Sequence, residues 1–286
     1  MYGLMEHRTM RVQLRTCVRV ALLLLVAGLL SAATATPARA QGLIRSIPAE
    51  QGTWVRFEGT VRQTEIRPDA TLGNLVMNWT RHLTLVALGE ETAEFEGKEV
   101  PCRWIEIRSS TGKPVDEGVE TGPAGLRIIQ VLVPVEKIIG KAVDEAGIPV
   151  SYLPIVKGYQ QVGMGEPQPI AGHAVYLSPS LTAVVPFRAP EAGSEESVDT
   201  PAGQFTATPE LATEILESRE TRITQRGTLW ASSEVPFGLV KWEMTTSMQS
   251  KLASEPRDSF QDRTEVEVKM SLHATGDGEE GQLVIP

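Results

Sequence analysis

Apolar and polar residues alternate over long stretches of this chain, and this period of two constrains the fold more than any other feature. The clearest run covers residues 265–273, where Val266 and Leu272 belong to an apolar series and the residues between them are charged or polar. Residues 54–62 repeat the pattern. Alternation of this kind predicts antiparallel strands with one face in a core and the other face in water.

Other segments extend the predicted sheet. Leu83–Leu88 and Glu94–Ile107 have strand patterns, with turns expected at Gly89–Glu90 and Gly97–Lys98. Leu126–Val133 is apolar on both faces, which favours a central strand.

The remaining segments fit the same fold class. Helical spacing of apolar residues over Glu136–Ala146, with Gly147 placed as a cap, predicts one short amphipathic helix. Further strands are predicted over Ala174–Phe187, Ile223–Ala231 and Gly238–Met248. We therefore expect a mainly β protein: a large curved antiparallel sheet, as a half-barrel or open barrel, with one or two short helices.

The domain organisation follows from the same patterns. The polar break at Pro190–Glu196 has similar strand patterns on both sides, so residues 41–275 are expected to form a single mainly-β domain. Residues 276–286 begin with small and acidic residues and are predicted to form a flexible acidic tail.

Residues 1–40 have the three parts of a cleavable export signal. Arginines from Arg8 to Arg19 precede the apolar run Val20–Leu30, and Ala38–Ala40 has the small-x-small pattern of a cleavage site. An uncleaved anchor is the alternative, but the run is shorter than the ~20 residues that cross a bilayer. The expected location is the periplasm or the outside of the cell, with a mature N-terminus near Gln41 and no transmembrane span after cleavage.

The charge of the remaining chain excludes one class of partner. Without the five Arg and one Glu of residues 1–40, it has 22 basic and 35 acidic residues, a net charge of −13. Such a charge repels phosphate backbones, so no nucleic-acid partner is expected. Cys102 would be the one remaining thiol, and its strand pattern predicts a small buried side chain.

Catalytic and metal-binding motifs are absent from the sequence. His82, His173 and His273 are each isolated, and neither zinc-site spacing nor a G-x-S-x-G turn occurs. Ser110–Lys113 matches S-x-x-K, but Gly112 opposes a helix there, and the segment is predicted to be a hairpin turn. We therefore predict no catalytic residue, no metal site and no cofactor.

Large aromatic residues are the candidates for a ligand site. Trp230 and Trp242 flank the turn that contains Phe237, and on a curled sheet these three residues are the predicted lining of an apolar cavity.

Two segments carry a resemblance to known proteins. Thr200–Phe205, a Pro-Ala-Gly-aromatic turn, and Trp230–Lys241, a Trp followed by a Pro-containing turn, resemble exported bacterial proteins of the DUF3108 type. More distantly, residues 198–250 are similar to the half-barrel superfamily of the lipoprotein carriers LolA and LolB, and the chain also resembles exported planctomycete proteins. The resemblance implies an incomplete antiparallel barrel with an apolar concavity that takes acyl chains, and it carries over no catalytic residue.

Together these features favour an exported, non-enzymatic protein that binds an apolar ligand, such as a lipid, acyl chain or lipoprotein, or an envelope protein partner. Two alternatives remain open at this point. One is a hydrolase whose site combines distant residues, such as His82 or His173 with a carboxylate. The other is a structural envelope protein.

Overall fold

The structure is a computed structural model that describes residues 43–116, 118–136, 153–170 and 191–285, all within one compact unit. Several sequence predictions lie outside these ranges. They are the export signal of residues 1–40, nearly all of the helix predicted over 136–146, His173, and the strand predicted over 174–187.

The described residues form twelve strands and two single 3₁₀ turns, Pro236–Gly238 and Arg257–Ser259. The strands are β1 Trp54–Glu65, β2 Leu75–Phe95, β3 Lys98–Val115, β4 Gly118–Pro134, β5 Lys157–Val162, β6 Gln168–Pro169, β7 Glu191–Ala192, β8 Glu196–Thr200, β9 Gly203–Glu217, β10 Thr221–Ala231, β11 Leu239–Ser250 and β12 Gln261–Gly276. The strands predicted from alternation near residues 54–62, 223–231, 238–248 and 265–273 are thereby confirmed.

All pairings between these strands are antiparallel, and the sheet is curved and open. The order is β6-β5-β4-β3-β2-β1-β12-β11-β10-β9-β7, with β8 paired to the start of β9. The mainly β fold class predicted from the sequence is confirmed. Two meanders, β1–β4 and β9–β12, meet where β1 pairs with β12, so strands from opposite ends of the described chain lie side by side in the middle.

Two predicted turns are strand irregularities instead. At Gly89–Glu90 strand β2 continues through a bulge opposite β3. At Ser110–Lys113 strand β3 continues past Gly112, where an added Cβ would lie 2.0 Å from the Glu120 carbonyl oxygen. Glycine is required there by the close approach of β4, because the missing side chain lets the backbones meet at a register shift.

One face of the sheet, which we call the core face, is apolar. In β1 it carries Val55, Phe57 and Val61, whereas Arg56 and Glu58 point to the opposite, outer face. Core-face side chains of β2–β4 and β10–β12 join those of β1 in one hydrophobic cluster. Burial of this cluster is the main driving force for folding, because each fully buried Leu, Ile or Phe contributes about 1.5–3 kcal/mol.

Glycine also allows the central strands to bend. An added Cβ at Gly59 would lie 1.8 Å from the Lys269 carbonyl oxygen, and one at Gly227 would lie 2.1 Å from the Glu243 carbonyl oxygen. Glycine within a strand marks close backbone approach and sites of curvature. These positions are therefore part of the reason that the sheet curls.

Residues 43–47 close one end of the core face. Leu43 and Ile44 are buried in the hydrophobic cluster. Arg45 donates two hydrogen bonds to the Glu210 carboxylate, with N···O distances of 2.9 and 2.7 Å, and its backbone N–H donates to the Phe237 carbonyl at 2.9 Å. This bidentate geometry is the one that best compensates the desolvation of a buried ion pair.

Residues 277–285 lie against the outer face of β3 and approach Leu88 of β2. Glu106, which has no exposed surface, accepts the backbone N–H groups of Gln282 and Leu283 at 3.0 Å each and the Arg108 Nε at 2.6 Å. Arg108 also contacts Glu279 and the Glu280 carbonyl. The sequence predicts a flexible tail here, whereas the structure shows a segment held by a buried ion pair.

Candidate functional site

Two of the three predicted ligand residues lie inside the core. Trp242 and Phe237 are fully buried, and the Trp242 ring packs edge-to-face against Phe57 with 4.8 Å between ring centroids. The Trp242 Nε1 is buried and has no hydrogen-bond partner. A ligand could reach these rings only by displacing core side chains.

Trp230 lies on the other side of the sheet. In the β10–β11 register it faces Lys241, whereas its neighbour Leu229 faces Trp242. The Trp230 Nε1 donates to Glu196 at 2.5 Å, and the Lys241 ammonium lies 4.5 Å from the ring centroid. The structure therefore does not bring Trp230 and Trp242 together in one cavity.

Phe237 has an unusual backbone conformation. Its φ is 63°, in the left-handed region, which costs a non-glycine residue about 1–3 kcal/mol. The turn is fixed by the bond from the Gly238 N–H to the Val235 carbonyl at 2.9 Å and by the contact with Arg45. Burial of the Phe237 side chain in the core stabilises the turn and compensates this backbone strain.

An exposed apolar surface lies at the opposite end of the core face. Strand register places two adjacent rows of six side chains there across β2, β1, β12, β11, β10 and β9. Six positions of these rows are polar, namely Gln63, Glu65, Glu214, Gln225, Thr246 and Thr264, and the other six are apolar. We call this set the apolar rim: Leu75, Met77, Leu216, Ile223, Met248 and Val266. Leu75 and Met248 are each 38% exposed, and the other four are half-buried.

The rim is continuous with the hydrophobic cluster. Trp79 and Val266 are half-buried and pack directly against it. In the same row as Val266, Gln225 donates to the Thr246 hydroxyl at 3.1 Å, and both side chains are buried. The apolar face is therefore packed at the Phe237 end and partly open to solvent at the rim.

Four polar side chains interrupt the core face on β2–β4. Arg81 and Thr111 are register partners, as are Ser109 and Arg127, and we call these four residues the arginine cluster. The Arg81 Nε donates to the Thr111 hydroxyl at 2.9 Å. Burial, and then the nearby charge of Arg127, lower the pKa of Arg81 to about 10. Ser109 is buried, and Arg127 is half-buried.

Sequence reasoning missed both the rim and the arginine cluster. A signal was present, because residues 75–85 alternate with apolar side chains at Leu75, Met77 and Trp79 and a basic one at Arg81. The predicted strand begins at Leu83, so it leaves out the core-facing residues before it.

Two of the three histidines that are isolated in the sequence, His82 and His273, lie beside the same glutamate in the structure. Because β1 pairs with both β2 and β12, Glu58 lies between His82 and His273. Glu58 Oε2 is 3.5 Å from His82 Nε2 and 3.2 Å from His273 Nδ1, and Glu58 Oε1 is 3.0 Å from Arg56 Nε. Burial is the largest effect on His82 and lowers its pKa from 6.5, while Glu58 opposes this shift.

This His–Glu cluster has part of the geometry that a hydrolase needs. Ser110 and Ser271 are the register neighbours of His82 and Glu58 on the outer face, but in the described part of the chain no hydrogen bond joins either serine to a histidine. Within the same ranges, no three His, Cys, Asp or Glu side chains are placed to hold a metal ion. Cys102 is fully buried, as predicted, and burial raises the pKa of its thiol.

The outer face also has two shallow grooves. One, of about 400 Å³, is lined by Thr60, Thr80 and Lys269 among others. The second, of about 540 Å³, is lined by Arg226, Thr228 and Glu243 among others. The first lining also includes Trp79 and Pro114, and the second also includes Leu211 and Met244, so both grooves combine polar and apolar groups.

No protein-family model matches the chain, and no curated protein matches it. Among solved structures, it is similar to a candidate lipoprotein from Parabacteroides distasonis, at 14% identity over 80% of this chain and 97% of that protein, with a TM-score of 0.31. It is also similar to a candidate exported protein with a YmcC-like fold from Bacteroides fragilis, at 10% identity over 82% of this chain and 100% of that protein, with a TM-score of 0.28.

At these TM-scores the similarity carries no functional argument. In the ranges that the structure describes, no helix has the length and hydrophobicity needed to span a bilayer.

Proposed function

We propose that this protein is an exported, non-enzymatic binding protein that holds an apolar, acyl-chain-like ligand against the apolar rim. The observation that carries the proposal is the partial exposure of the rim on the core face of an open sheet. Leu75 and Met248 are each 38% exposed, whereas Leu83, Leu85 and Trp242, farther along the same face, are fully buried. Covering such a surface gains about 25 cal/mol for each Å² removed from water.

Two further features support the proposal. The export signal expected in residues 1–40 would deliver the protein to a compartment that contains membrane lipids. The rim also lies on the face that carries the hydrophobic cluster, because Trp79, which packs against the cluster, follows Met77 of the rim by two residues on β2. Trp230, Trp242 and Phe237 then support the sheet rather than contact the ligand.

Titration with dodecanol, a neutral single-chain ligand, tests this proposal. Wild-type protein should bind dodecanol in isothermal titration calorimetry, and extraction of the freshly purified protein should release acyl lipids detectable by mass spectrometry. Met248→Asp should weaken binding at least about tenfold, because the ligand would have to desolvate a charge on an apolar surface.

Thr245→Asp is the matched control, since Thr245 lies on the same strand but on the outer face. It should leave dodecanol affinity within about twofold of wild type. Absence of dodecanol binding to the wild type, or equal effects of the two substitutions, would contradict a ligand on the rim.

A further inference from the structure

Apolar exposure rises along two strands towards the same end of the sheet. Along β2 it rises from 38% at Leu75 of the rim to 97% at Leu72 in the preceding β1–β2 connection. Along β11 it rises from 38% at Met248 of the rim to 67% at Leu252 in the β11–β12 connection. The apolar rim therefore leads to two leucines that lie largely in water.

These two leucines lie on neighbouring connections. Because β1 pairs with β12, the β1–β2 connection lies beside the β11–β12 connection, and the Ile66 N–H donates to the Arg263 carbonyl at 2.8 Å. The Lys251 N–H donates to the Glu220 carbonyl of the β9–β10 connection at 3.0 Å. We call these three connections, residues 66–74, 218–220 and 251–260, the leucine end. Single exposed apolar side chains are ordinary, whereas two beside a partly open apolar face indicate a contact surface.

The charge of the leucine end differs from that of the whole chain. It contains four basic and four acidic residues, and Asp116 and Glu117 of the β3–β4 connection at the same end bring the net charge to −2. Residues 41–286 together carry −13. Most of the repulsion between this acidic protein and a layer of lipid phosphates therefore comes from other surfaces, and the leucine end can approach such a layer.

Three cations at this end have no carboxylate partner in the part of the chain that the structure describes. Each donates to a neutral oxygen instead: Arg219 Nε to the Ala253 carbonyl at 3.0 Å, Lys251 Nζ to the Glu255 carbonyl at 2.9 Å, and Arg263 Nε to the Ser250 hydroxyl at 2.8 Å. Such cations can also bind the phosphates of lipid head groups. Apolar side chains flanked by Lys and Arg are typical of segments that lie in a membrane interface.

We infer that the leucine end docks on the surface of a lipid bilayer, with Leu72 and Leu252 in the acyl layer and the three cations at the phosphate groups. The inference rests on the proposed function for the role of this contact, which brings the open end of the rim to the acyl chains that the rim is proposed to bind. Burial of the two leucines supplies the affinity, and the cations orient the protein.

Flotation with phosphatidylcholine vesicles tests the inference. The exported protein is used, and its mass is measured to check that residues 1–40 are absent, because the apolar run 20–30 would itself bind lipid. Wild-type protein should float with the vesicles. Leu72→Asp and Leu252→Asp should each weaken vesicle binding at least about tenfold, and the double variant about a hundredfold. Both side chains are exposed, so neither substitution disturbs the core.

Met164→Asp and Val284→Asp are the matched controls. Met164 is 96% exposed in the β5–β6 connection, and Val284 is 83% exposed in the C-terminal segment, both away from the leucine end. Each control adds the same charge and removes an exposed apolar side chain, and vesicle binding should stay within about twofold of wild type. Addition of anionic phosphatidylglycerol should not tighten binding; tighter binding would mean adsorption through the cations and would contradict the leucines as the source of affinity.

The outcomes separate this inference from the proposed function. Leu72→Asp and Leu252→Asp should leave dodecanol affinity within about twofold, since neither leucine belongs to the rim. If the wild type binds dodecanol but does not float, or floats equally well with both substitutions, the leucine end is not a bilayer contact and the proposed function stands. If the wild type floats but does not bind dodecanol, the docking stands and the rim is not a ligand surface.

Discussion

The two halves of the outer face are built differently. Over β2–β4, the outer-face side chains Val86, Ile128 and Leu132 are buried, and so are Glu106 and Arg108, which residues 277–285 contact. Over β10–β12, the outer face is an open surface of threonines and alternating charges, and Glu243 there is 40% exposed.

Each half of the outer face contains an ion pair between residues two positions apart on one strand, so the two halves can be compared directly. Arg108 and Glu106 lie two positions apart on β3 with 2.6 Å between Nε and Oε1, and Lys241 and Glu243 lie two positions apart on β11 with 2.8 Å between Nζ and Oε1. A solvent-exposed pair of this kind contributes little to the free energy of unfolding. Breaking a buried pair costs much more, because it leaves an uncompensated buried charge. The covering segment, rather than the pair itself, determines the energetic consequence.

The largest effect is expected from a variant that lacks residues 277–286. It removes the buried Leu283 side chain and the two backbone donors from Glu106, so the free energy of unfolding should fall by about 4 kcal/mol. Urea denaturation measures the loss, and increased ANS fluorescence reports the uncovered apolar surface. A variant as stable as the full chain would show that the segment is not part of the folded domain.

A smaller effect is expected from Glu106→Gln. The substitution leaves Arg108 buried without its principal counter-charge, and the free energy of unfolding should fall by about 3 kcal/mol. Glu243→Gln is the matched control on the open half, and its cost should stay below about 1 kcal/mol. Equal shifts of the urea midpoint in the two variants would mean that the two halves do not differ as described.

The smallest effect is a pH dependence at His82, which lies on the outer face of β2. Burial holds its pKa below 6.5 in the folded state, so the unfolded chain binds this proton more readily. The contribution of His82 to stability is therefore complete above pH 6.5 and is lost as the pH falls through the lowered pKa. Glu58, Arg56 and His273 face the imidazole, and Glu58 limits the shift.

His82→Gln isolates this contribution. Between pH 7.5 and pH 5 the variant should lose less thermal stability than the wild type, by an amount below about 1 kcal/mol. If the variant lost as much thermal stability as the wild type or more, protonation of His82 would not be the cause of the pH dependence.

Much of the sheet could be predicted from sequence because the alternation of apolar and polar residues within a strand shows which side chains face the core. Alternation located β1, β10, β11 and β12, and the Pro-Ala-Gly segment at 201–203 was correctly read as the turn that leads into β9. Glycine was misleading at Gly89 and Gly112, because the same residue serves turns, bulges and close strand contacts, and only the neighbouring strand distinguishes these uses.

The functional surfaces could not be predicted in the same way, because they depend on pairing between distant strands. Nothing near Glu106 in the sequence indicates that residues 277–285 will cover it, since Leu283 is the one buried apolar side chain that the segment supplies. Likewise, His82 and His273 meet Glu58 only because β1 lies between β2 and β12. Alternation assigns a residue to a face, but not to a neighbour.

The pairing of β1 with β12 also has a kinetic consequence. The contact between Thr53 and Asp277 spans 224 positions, so the centre of the sheet closes only after β12 has been synthesised. The meanders β1–β4 and β9–β12 can each assemble from local contacts, and joining them is the step with the greatest loop-closure entropy. Refolding should therefore be slow, in milliseconds to seconds, with two partly formed sheets that present open edges until they meet.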